Sequence, residues 1–597
     1  MRTLIIDIEA DNLLMAATTI WVVCALDDDS GQQFEIYNKD DLQALLDRYD
    51  RYVGHNALLY DFPVLNKLWG IKYDHTKIRD TLIISRLIKP DLDKGHSLKA
   101  WGERLGFPKG DHTDFTQLSP EMVSYCHQDV KVTAKLYKEL NRQLSDLKGT
   151  RPKDCLRLEH DFAHIISRQV RNGFRLDKAG VEKLYDELSA EYIPLYEEIS
   201  KMMPSVKDTT HFKGIEKQGN IIAQTPTSYT YIQDKTRKIV TKDFKFSEPN
   251  AGSRKQLINW FMSKGWKPKE FTEKGSPEIN EEVLLEIGTD EARKVAQLFK
   301  IQKLKGMIKD GDGSWLRFYN EETGRVHGDV NTNQANTGRC THARPNITQV
   351  PKVKKDPRMR ALWLPPEGRV LIGTDASGQE LRILGHYLHP YDNGAYSFEV
   401  LQGDIHTYNQ KIMGLSERES AKSCIYAYIY GSGVGRLGML YAMDQKIYGA
   451  DQKKLMFYGS KIKRSVEDNF TGYKELLTAV KDAFAKRGYL IGLDGRPLHP
   501  RKEYSALNLL IQSAGAIICK QWTINIYNLA NSCFQYGNDW EIHASVHDEL
   551  QLSARPEIAE QFKGISAKAM EMTQEQLGVK TKLGVDVKIG DNWAMTH

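Results

Sequence analysis

Short apolar runs separated by polar turns open the chain. RTLIID, TIWVVCAL and RYVGHN read as strands with helical spacing between them, so residues 1–145 predict a compact α/β domain. From Leu156 to about Met203 apolar residues recur every three or four positions, the spacing of a helix face. Residues 204–246 lose that period to Thr, Ser, Gly, Tyr and Lys, which predicts loop or hairpin. Helical spacing returns at about 252–264 and 280–308, and a loop-rich stretch over 325–360 carries the basic run PKVKKDPRMR. A strand ending at Thr374, helices through 376–488 and a β-rich segment ending at His597 complete the expectation. No repeat or low-complexity tract interrupts this order.

Composition narrows the class. A length of 597 residues predicts several domains, since one domain takes ~100–200. Hydrophobic residues at 41% and charged residues at 27% exclude a disordered or fibrous chain. Lys+Arg 83 against Asp+Glu 78 leaves +5, too small to identify a polyanionic partner. The seven cysteines form no CxxC pair, which favours a reducing compartment over a disulfide or zinc framework. Asp7, Glu9 and Asp11 interrupt the N-terminal apolar run, and nothing approaches the ~20 apolar residues of a membrane span. A soluble, intracellular protein with no membrane partner is expected.

The chemistry lies in two groups of acids. Asp7 and Glu9 are two apart in a strand-like run and leave it on one face. Adjacent carboxylates are costly unless a cation neutralises them, and Mg²⁺ takes such oxygen ligands. HNALLYDFPVL adds Asp61, and YCHQD places Tyr125 and Asp129 at i, i+4, on one helix face. DIE by itself is more often a strand end in solvent. The ordered set DIE, HNxxxDxxxL, YxxxD resembles the DEDDy 3′-5′ proofreading exonucleases. That resemblance implies metal binding by Asp7, Glu9, Asp61 and Asp129, with Tyr125 on the attacking water.

Further along, VLIGTDASGQELR delivers Asp375 to the end of an apolar strand. IHASVHDELQLSA alternates as a hairpin, with Asp548 and Glu549 expected at its tip. Strand-end carboxylates of this kind can converge on a metal pair ~4 Å apart, the arrangement for phosphoryl transfer. Between them, Arg418, Lys422, Tyr426 and Tyr430 recur every four residues on one slowly rotating helix face, and Gly431, Gly433 and Gly435 are expected to break that helix. Two cations a turn apart suit a triphosphate, and two aromatics suit a base pair.

DASGQELR, RxxxKxxxYxxxYG and VHDE resemble motifs A, B and C of family A (Pol I-like) DNA polymerases. GDIHTYNQ, TGRCTHARPNITQVP, LNLLIQSAGA and DNWAMTH are similar to the replicative enzymes of short-tailed bacteriophages. The implied fold class is α/β multidomain, an RNase H-like exonuclease domain followed by a right-hand polymerase domain. The expected divisions are 1–147 exonuclease, 148–308 thumb with a basic insertion at about 204–246, 309–388 palm, 389–504 fingers and 505–597 palm. The resemblance implies two Mg²⁺ in each site, replaceable by Mn²⁺, those of the polymerase held by Asp375, Asp548 and the Ala376 carbonyl. It gives the triphosphate to His406, Arg418 and Lys422, with Lys422 also the acid for pyrophosphate. Tyr426 stacks on the incoming nucleotide, where its hydroxyl can stand in for a missing sugar 3′-OH. Glu380 excludes a 2′-hydroxyl, and Tyr430 guards the templating position. Arg339, Asn508, Gln512 and His547 read the primer–template minor groove. Glu549 ranks below the two aspartates.

Primer–template DNA and dNTPs are therefore the expected partners, with phage helicase-primase, single-stranded DNA-binding protein and a thioredoxin-type processivity factor as candidates. The expected location is the cytoplasm of the infected bacterial host. The chain starts at the exonuclease motif, so nick translation through a 5′-nuclease is not expected. Two other readings compete: a single-subunit RNA polymerase-like enzyme, opposed by Glu380 and the exonuclease motifs, and a DNA-binding scaffold with inactive sites, opposed by the six intact acids. The segment 203–246, with eight Lys/Arg against four Asp/Glu, reads as a solvated loop or as an electrostatic tether for duplex DNA.

Overall fold

The computed structural model describes residues 1–207, 219–224, 228–233, 236–243, 246–272, 274–447 and 451–597. Contacts divide it into two compact units, Met1–Leu176 with Asn320–His597, and Asp177–Tyr319.

In the first unit the N-terminal strand Thr3–Ala10 is the middle of five. Ile20–Asp27 and then Gln33–Ile36 extend the sheet antiparallel on one side, and Arg51–Gly54 and then Ile78–Asp80 extend it parallel on the other. The period of two sends Leu4 and Ile6 to one face, against Phe62 and Leu65 of helix Asp61–Trp69. It sends Ile5 to the other, with Cys126, Val130 and Leu136 of helix Pro120–Asp146. That helix starts where the sequence directs it: the Ser119 side chain accepts from the Met122 amide, and Pro120 occupies the first turn.

The C-terminal half of the same unit is built on a four-stranded antiparallel sheet ordered Trp540–Val546, Glu549–Ala554, Val370–Ala376, Val585–Gly590. Ile372, Leu550 and Leu552 share a core with Ile517 and Trp522 of helix Ala506–Cys533 and Phe562 of helix Gln561–Leu577. Hydrogen bonds join Asp80 and the helix that follows it, Thr81–Ile88, to the rest of this unit. The Asp80 amide donates to His160 Nε2 at 2.8 Å, Asn333 Nδ2 donates to the Ile83 carbonyl at 3.0 Å, and His499 Nε2 meets the Ile88 carbonyl at 2.8 Å.

The second unit packs Ile199 of helix Lys178–Met202 with Leu257 and Trp260 of Arg254–Ser263, Leu284 of Glu281–Ile287 and Val295 of Asp290–Lys305. The expected loop or hairpin at 204–246 contains an antiparallel sheet of Gly219–Gln224, Ser228–Gln233 and Ile239–Asp243. Four of the eight cations assigned to the tether, at 213, 217, 235 and 245, lie outside the described residues.

Four expectations are corrected. The helix expected over 156–203 is two, because Gly173 takes a φ of 65° after Pro152–Asn172 and the strand Phe174–Leu176 intervenes. The β-rich C-terminal segment contains the 28-residue helix Ala506–Cys533, which is apolar around most of its circumference because it is buried on most sides. Such a helix shows no amphipathic stripe. Glu549 is not at the hairpin tip: His547, with φ 60°, and Asp548 form the turn, and Glu549 begins the next strand opposite Val546. Of the three glycines expected to break the motif B helix, only Gly431 (φ 76°) follows its end, while Gly433 precedes and Gly435 lies inside the next helix, Val434–Asp444.

Candidate active sites

Asp375 is brought to Asp548 by backbone pairing. The Asp375 strand runs between Glu549–Ala554 and Val585–Gly590, with Asp375 opposite Glu549 and Asp586. One residue on, the Ala376 amide donates to the Asp548 carbonyl at 3.0 Å, so two acids 173 positions apart in sequence emerge together. Burial, and then the charges of Asp548 and Glu549, push the Asp375 carboxyl up to about 7. Asp548 is also raised, by burial first and then by Glu380. These carboxyls are short of positive charge, and their hard oxygen donors fit a divalent cation.

Glu549 behaves differently. Its carboxylate accepts from Gln551 Nε2 at 2.8 Å, from Trp593 Nε1 and from Arg360 Nη1 at 3.4 Å, and His597 Nδ1 lies 2.8 Å away. Burial works to raise its pKa, but His597 and Arg360 hold it below the usual value. Its carboxylate thus has four partners around it.

Helix Arg418–Ile429 carries Arg418, Lys422 and Tyr426, and Tyr430 follows at its C-cap. Arg418 Nε donates to both oxygens of Asp404, at 3.1 and 2.8 Å. Asp404 also caps helix Ile405–Met413 by accepting from the amides of His406 and Thr407. Burial, and then Arg418 and Lys422, lower the His406 pKa, so the imidazole beside these two cations is held neutral. The Tyr426 ring lies 6.4 Å from His406 and 6.4 Å from Tyr430, the tyrosines stacked at 24°. Tyr430 caps the helix and donates its hydroxyl to Glu380, whose carboxylate is 3.9 Å from Arg339. Asn508 Nδ2 donates to the Tyr430 carbonyl at 2.6 Å, and Gln512 Nε2 to Asn508 Oδ1 at 2.6 Å.

The four expected groove-reading residues divide between two places. Arg339 and His547 line a cavity of about 250 Å³ with Asp548, His342 and Lys520. Asn508 and Gln512 line a separate groove with Asn336 and His499.

In the N-terminal cluster, Asp7 and Glu9 project from the central strand, Asp61 opens helix Asp61–Trp69, and Tyr125 and Asp129 lie a turn apart on helix Pro120–Asp146. Glu9, Asp61 and Asp129 are buried. Burial, then Asp61, Asp129 and Glu9, raises the Asp7 pKa well above its usual range. Burial and then Asp129 push Glu9 up to about 8, and burial and then Asp80 push Asp61 up to about 7. Acids that crowd together in this way fit one or more divalent cations. Ligand atoms of Asp7, Glu9 and Cys126 all lie within 4.8 Å of one another. Burial raises the Cys126 thiol, however, and its Sγ donates to the Asp7 carbonyl at 3.6 Å, so it serves as a donor to Asp7.

Sequence reasoning missed Asp404, Arg360, Trp593, His597 and Lys109. Arg360 stood in the basic run and Trp593 and His597 in DNWAMTH, but nothing local tied them to Glu549. Lys109, in the linker FPKG, donates to Asp129 Oδ2.

Residues 222–595 match DNA polymerase family A. The chain is 30% identical to the DNA-directed DNA polymerase of Enterobacteria phage T3, with 100% of each covered. It is 30% identical to that of Escherichia phage T7, with 99% of each covered. Among solved structures, the POL domain of Pol1 from M. smegmatis in complex with DNA primer-template and dNTP has the same fold, with a TM-score of 0.73 at 18% identity, covering 100% of this chain and 96% of that one.

Proposed function

The chain belongs to DNA polymerase family A and is a DNA-directed DNA polymerase, and from that premise we propose that it carries two separate metal-dependent sites, one for synthesis and one for 3′-5′ proofreading. Family membership makes it divalent-metal dependent, and it sets aside the RNA polymerase and inactive-scaffold readings. The finer reading is two Mg²⁺ in each site, replaceable by Mn²⁺. Its substrates are primer–template DNA and dNTPs, the ligands named for the M. smegmatis complex. Phage helicase-primase, single-stranded DNA-binding protein and a thioredoxin-type factor belong to the same proposal, as do replication in the host cytoplasm and the division at 147, 308, 388 and 504.

The observation that carries the synthesis site is the Asp375–Asp548 pairing through the Ala376 amide. Asp375, Asp548 and the Ala376 carbonyl would hold the metals, which would supply activation of the primer 3′-hydroxyl and charge balance for the departing pyrophosphate. Arg418, Lys422 and His406 bind the triphosphate, and Arg418 exchanges Asp404 for phosphate oxygens. Lys422 gives its proton to the pyrophosphate. Tyr426 stacks on the nucleotide, while Tyr430 fixes Glu380 beneath the sugar. Arg339, His547, Asn508 and Gln512 contact the nascent duplex.

For proofreading, Asp7, Glu9, Asp61 and Asp129 would hold the metals, and Tyr125 would orient the water that attacks the terminal phosphodiester and releases the 3′-nucleotide. The supporting observation is four acids from three elements gathered at one place, three of them buried. Asp375→Ala or Asp548→Ala should lower primer extension by ~10³-fold or more, since losing a metal ligand costs several kcal/mol of transition-state stabilisation. Release of the 3′-terminal nucleotide should persist in both variants. Asp7→Ala with Glu9→Ala should do the reverse. Loss of both activities in a folded variant refutes the two-site assignment.

A further inference from the structure

We propose that Lys109 is a positioning residue of the proofreading site, its ammonium fixing Tyr125 and one oxygen of Asp129 while offsetting the crowded carboxylates. This rests on the exonuclease reading of Asp7, Glu9, Asp61 and Asp129.

One ammonium spans both members of the i, i+4 pair. Lys109 Nζ donates to Asp129 Oδ2 and lies 4.6 Å from the centroid of the Tyr125 ring. Asp129 is 2% exposed, and its other oxygen, Oδ1, is buried without a hydrogen-bond partner among the described residues. A buried carboxylate with one oxygen anchored and the other bare is aimed, and the bare oxygen is the one left for a metal ion. Without the anchor, the carboxylate can turn either oxygen inward.

The backbone of Lys109 is itself held on two sides. Gln128, next to Asp129, donates from Nε2 to the Pro108 carbonyl at 2.8 Å. The Phe107 amide donates to the Gly102 carbonyl at 2.9 Å. Helix Leu98–Arg104 comes so close that a Cβ on Gly102 would lie 2.9 Å from the Lys109 amide nitrogen and 3.0 Å from the Phe107 carbonyl oxygen. A lysine on a loop fixed in this way is a built part of the cluster. Its ammonium brings a positive charge into direct contact with the acid cluster, at Asp129.

A merely structural salt bridge and a positioning cation predict opposite effects on metal binding. If Lys109 only supported the fold, its loss would loosen the acids and weaken binding. If it offsets their charge and aims Asp129, its loss leaves the acids more negative, so metal binds more tightly while hydrolysis slows.

The test uses the full chain carrying Asp375→Ala and Asp548→Ala, so that Mn²⁺ titrated by calorimetry without DNA reports the N-terminal cluster. Lys109→Met in this background, which removes a positive charge beside the acids, is expected to bind Mn²⁺ about tenfold more tightly and, with Asp129 no longer anchored, to release the 3′-terminal nucleotide of a single-stranded oligonucleotide about 10–100-fold more slowly. Lys109→Arg, which keeps the charge, is expected to recover most of that rate. Melting temperature monitors folding. Weaker Mn²⁺ binding by a folded Lys109→Met, or an unchanged release rate, overturns the proposal. The exonuclease reading fails separately, and takes this proposal with it, if the parent releases no nucleotide and Asp7→Ala with Glu9→Ala leaves Mn²⁺ binding unchanged.

Discussion

Glu159→Gln should destabilise the region beneath the Arg339 turn by about 3–5 kcal/mol. Glu159 is fully buried on helix Pro152–Asn172. It accepts from Lys520 Nζ at 2.6 and 2.8 Å, and Arg496 Nη2 lies 2.7 Å from its Oε1. Arg496 also grips Asp494, with Nε donating at 3.0 Å to each oxygen and Nη2 at 2.7 Å. Two cations and two anions thus balance. The amide of Gln keeps the shape but leaves one buried positive charge unmatched. At an effective dielectric of about 20, a unit pair at this range attracts by about 6 kcal/mol. A retained neutral hydrogen bond returns about 1 kcal/mol, and relaxation takes the remainder into the stated range. Lys520, whose pKa burial already lowers, should respond by giving up its proton. The damage should spread to Gly338, where a Cβ would come within 2.5 Å of Arg496 Nη1, and so to Arg339. Because the chain has two compact units and no single unfolding free energy describes it, the assay is amide hydrogen exchange over 335–340 and 494–498. Glu159→Gln with Lys520→Met, which restores the balance, should recover at least half of the lost protection. A single variant costing under about 1 kcal/mol, or a double variant worse than the single, refutes the reasoning.

The carboxyls of Glu9 at about 8, and of Asp61 and Asp375 at about 7, retain protons in the folded state that the unfolded chain has released. Stability without metal should therefore fall as pH rises from about 5 to 8, and Mg²⁺ should raise the melting temperature more at pH 8.5 than at 5.5; an equal rise at both would contradict the charge crowding. Tyr430→Phe removes the hydroxyl that holds Glu380, so discrimination between dNTP and rNTP, measured as the ratio of kcat/KM values, should fall about tenfold, and an unchanged ratio would exclude that role. Tyr426→Phe should leave dNTP incorporation nearly unchanged while sharply reducing dideoxynucleotide use, and equal use by both proteins would rule out the hydroxyl's part.

What was legible in the sequence is what short-range geometry determines. Asp7 and Glu9 share a strand face because the period is two, and Tyr125 and Asp129 share a helix face because four residues make about a turn. Asp375 at its strand end and the stripe Arg418, Lys422, Tyr426, Tyr430 follow from the same periods. Glu549 was placed at a hairpin tip because alternation locates a hairpin but does not say which two residues turn, and His547 with Asp548 take that position. The helix Ala506–Cys533 escaped because a helix buried on most sides has no polar stripe to mark its period. The partners of Glu159 are hundreds of positions away, and Lys109 reaches Asp129 from a linker with no period at all. Such pairings are decided by tertiary packing.

The two acid clusters handle their charge differently, and the difference bears on metal loading. In the C-terminal cluster, the Arg360 guanidinium matches the charge of Glu549 and His597 Nδ1 lies 2.8 Å from it, which leaves Asp375 and Asp548 as the acids that need a cation. Arg360 is buried among fixed partners, with its guanidinium 4.3 Å from the Trp593 ring, so that neutralisation is part of the folded structure. In the N-terminal cluster the ammonium of Lys109, on a side chain that is 23% exposed, pairs with one of the four acids, Asp129. More negative charge faces less fixed positive charge there, so the N-terminal site should take up Mn²⁺ at lower concentration than the C-terminal one. Separate titration of the chain carrying Asp375→Ala with Asp548→Ala and of the chain carrying Asp7→Ala with Glu9→Ala measures that order. Tighter binding at the C-terminal pair would mean that local geometry, and not net charge, sets the affinity.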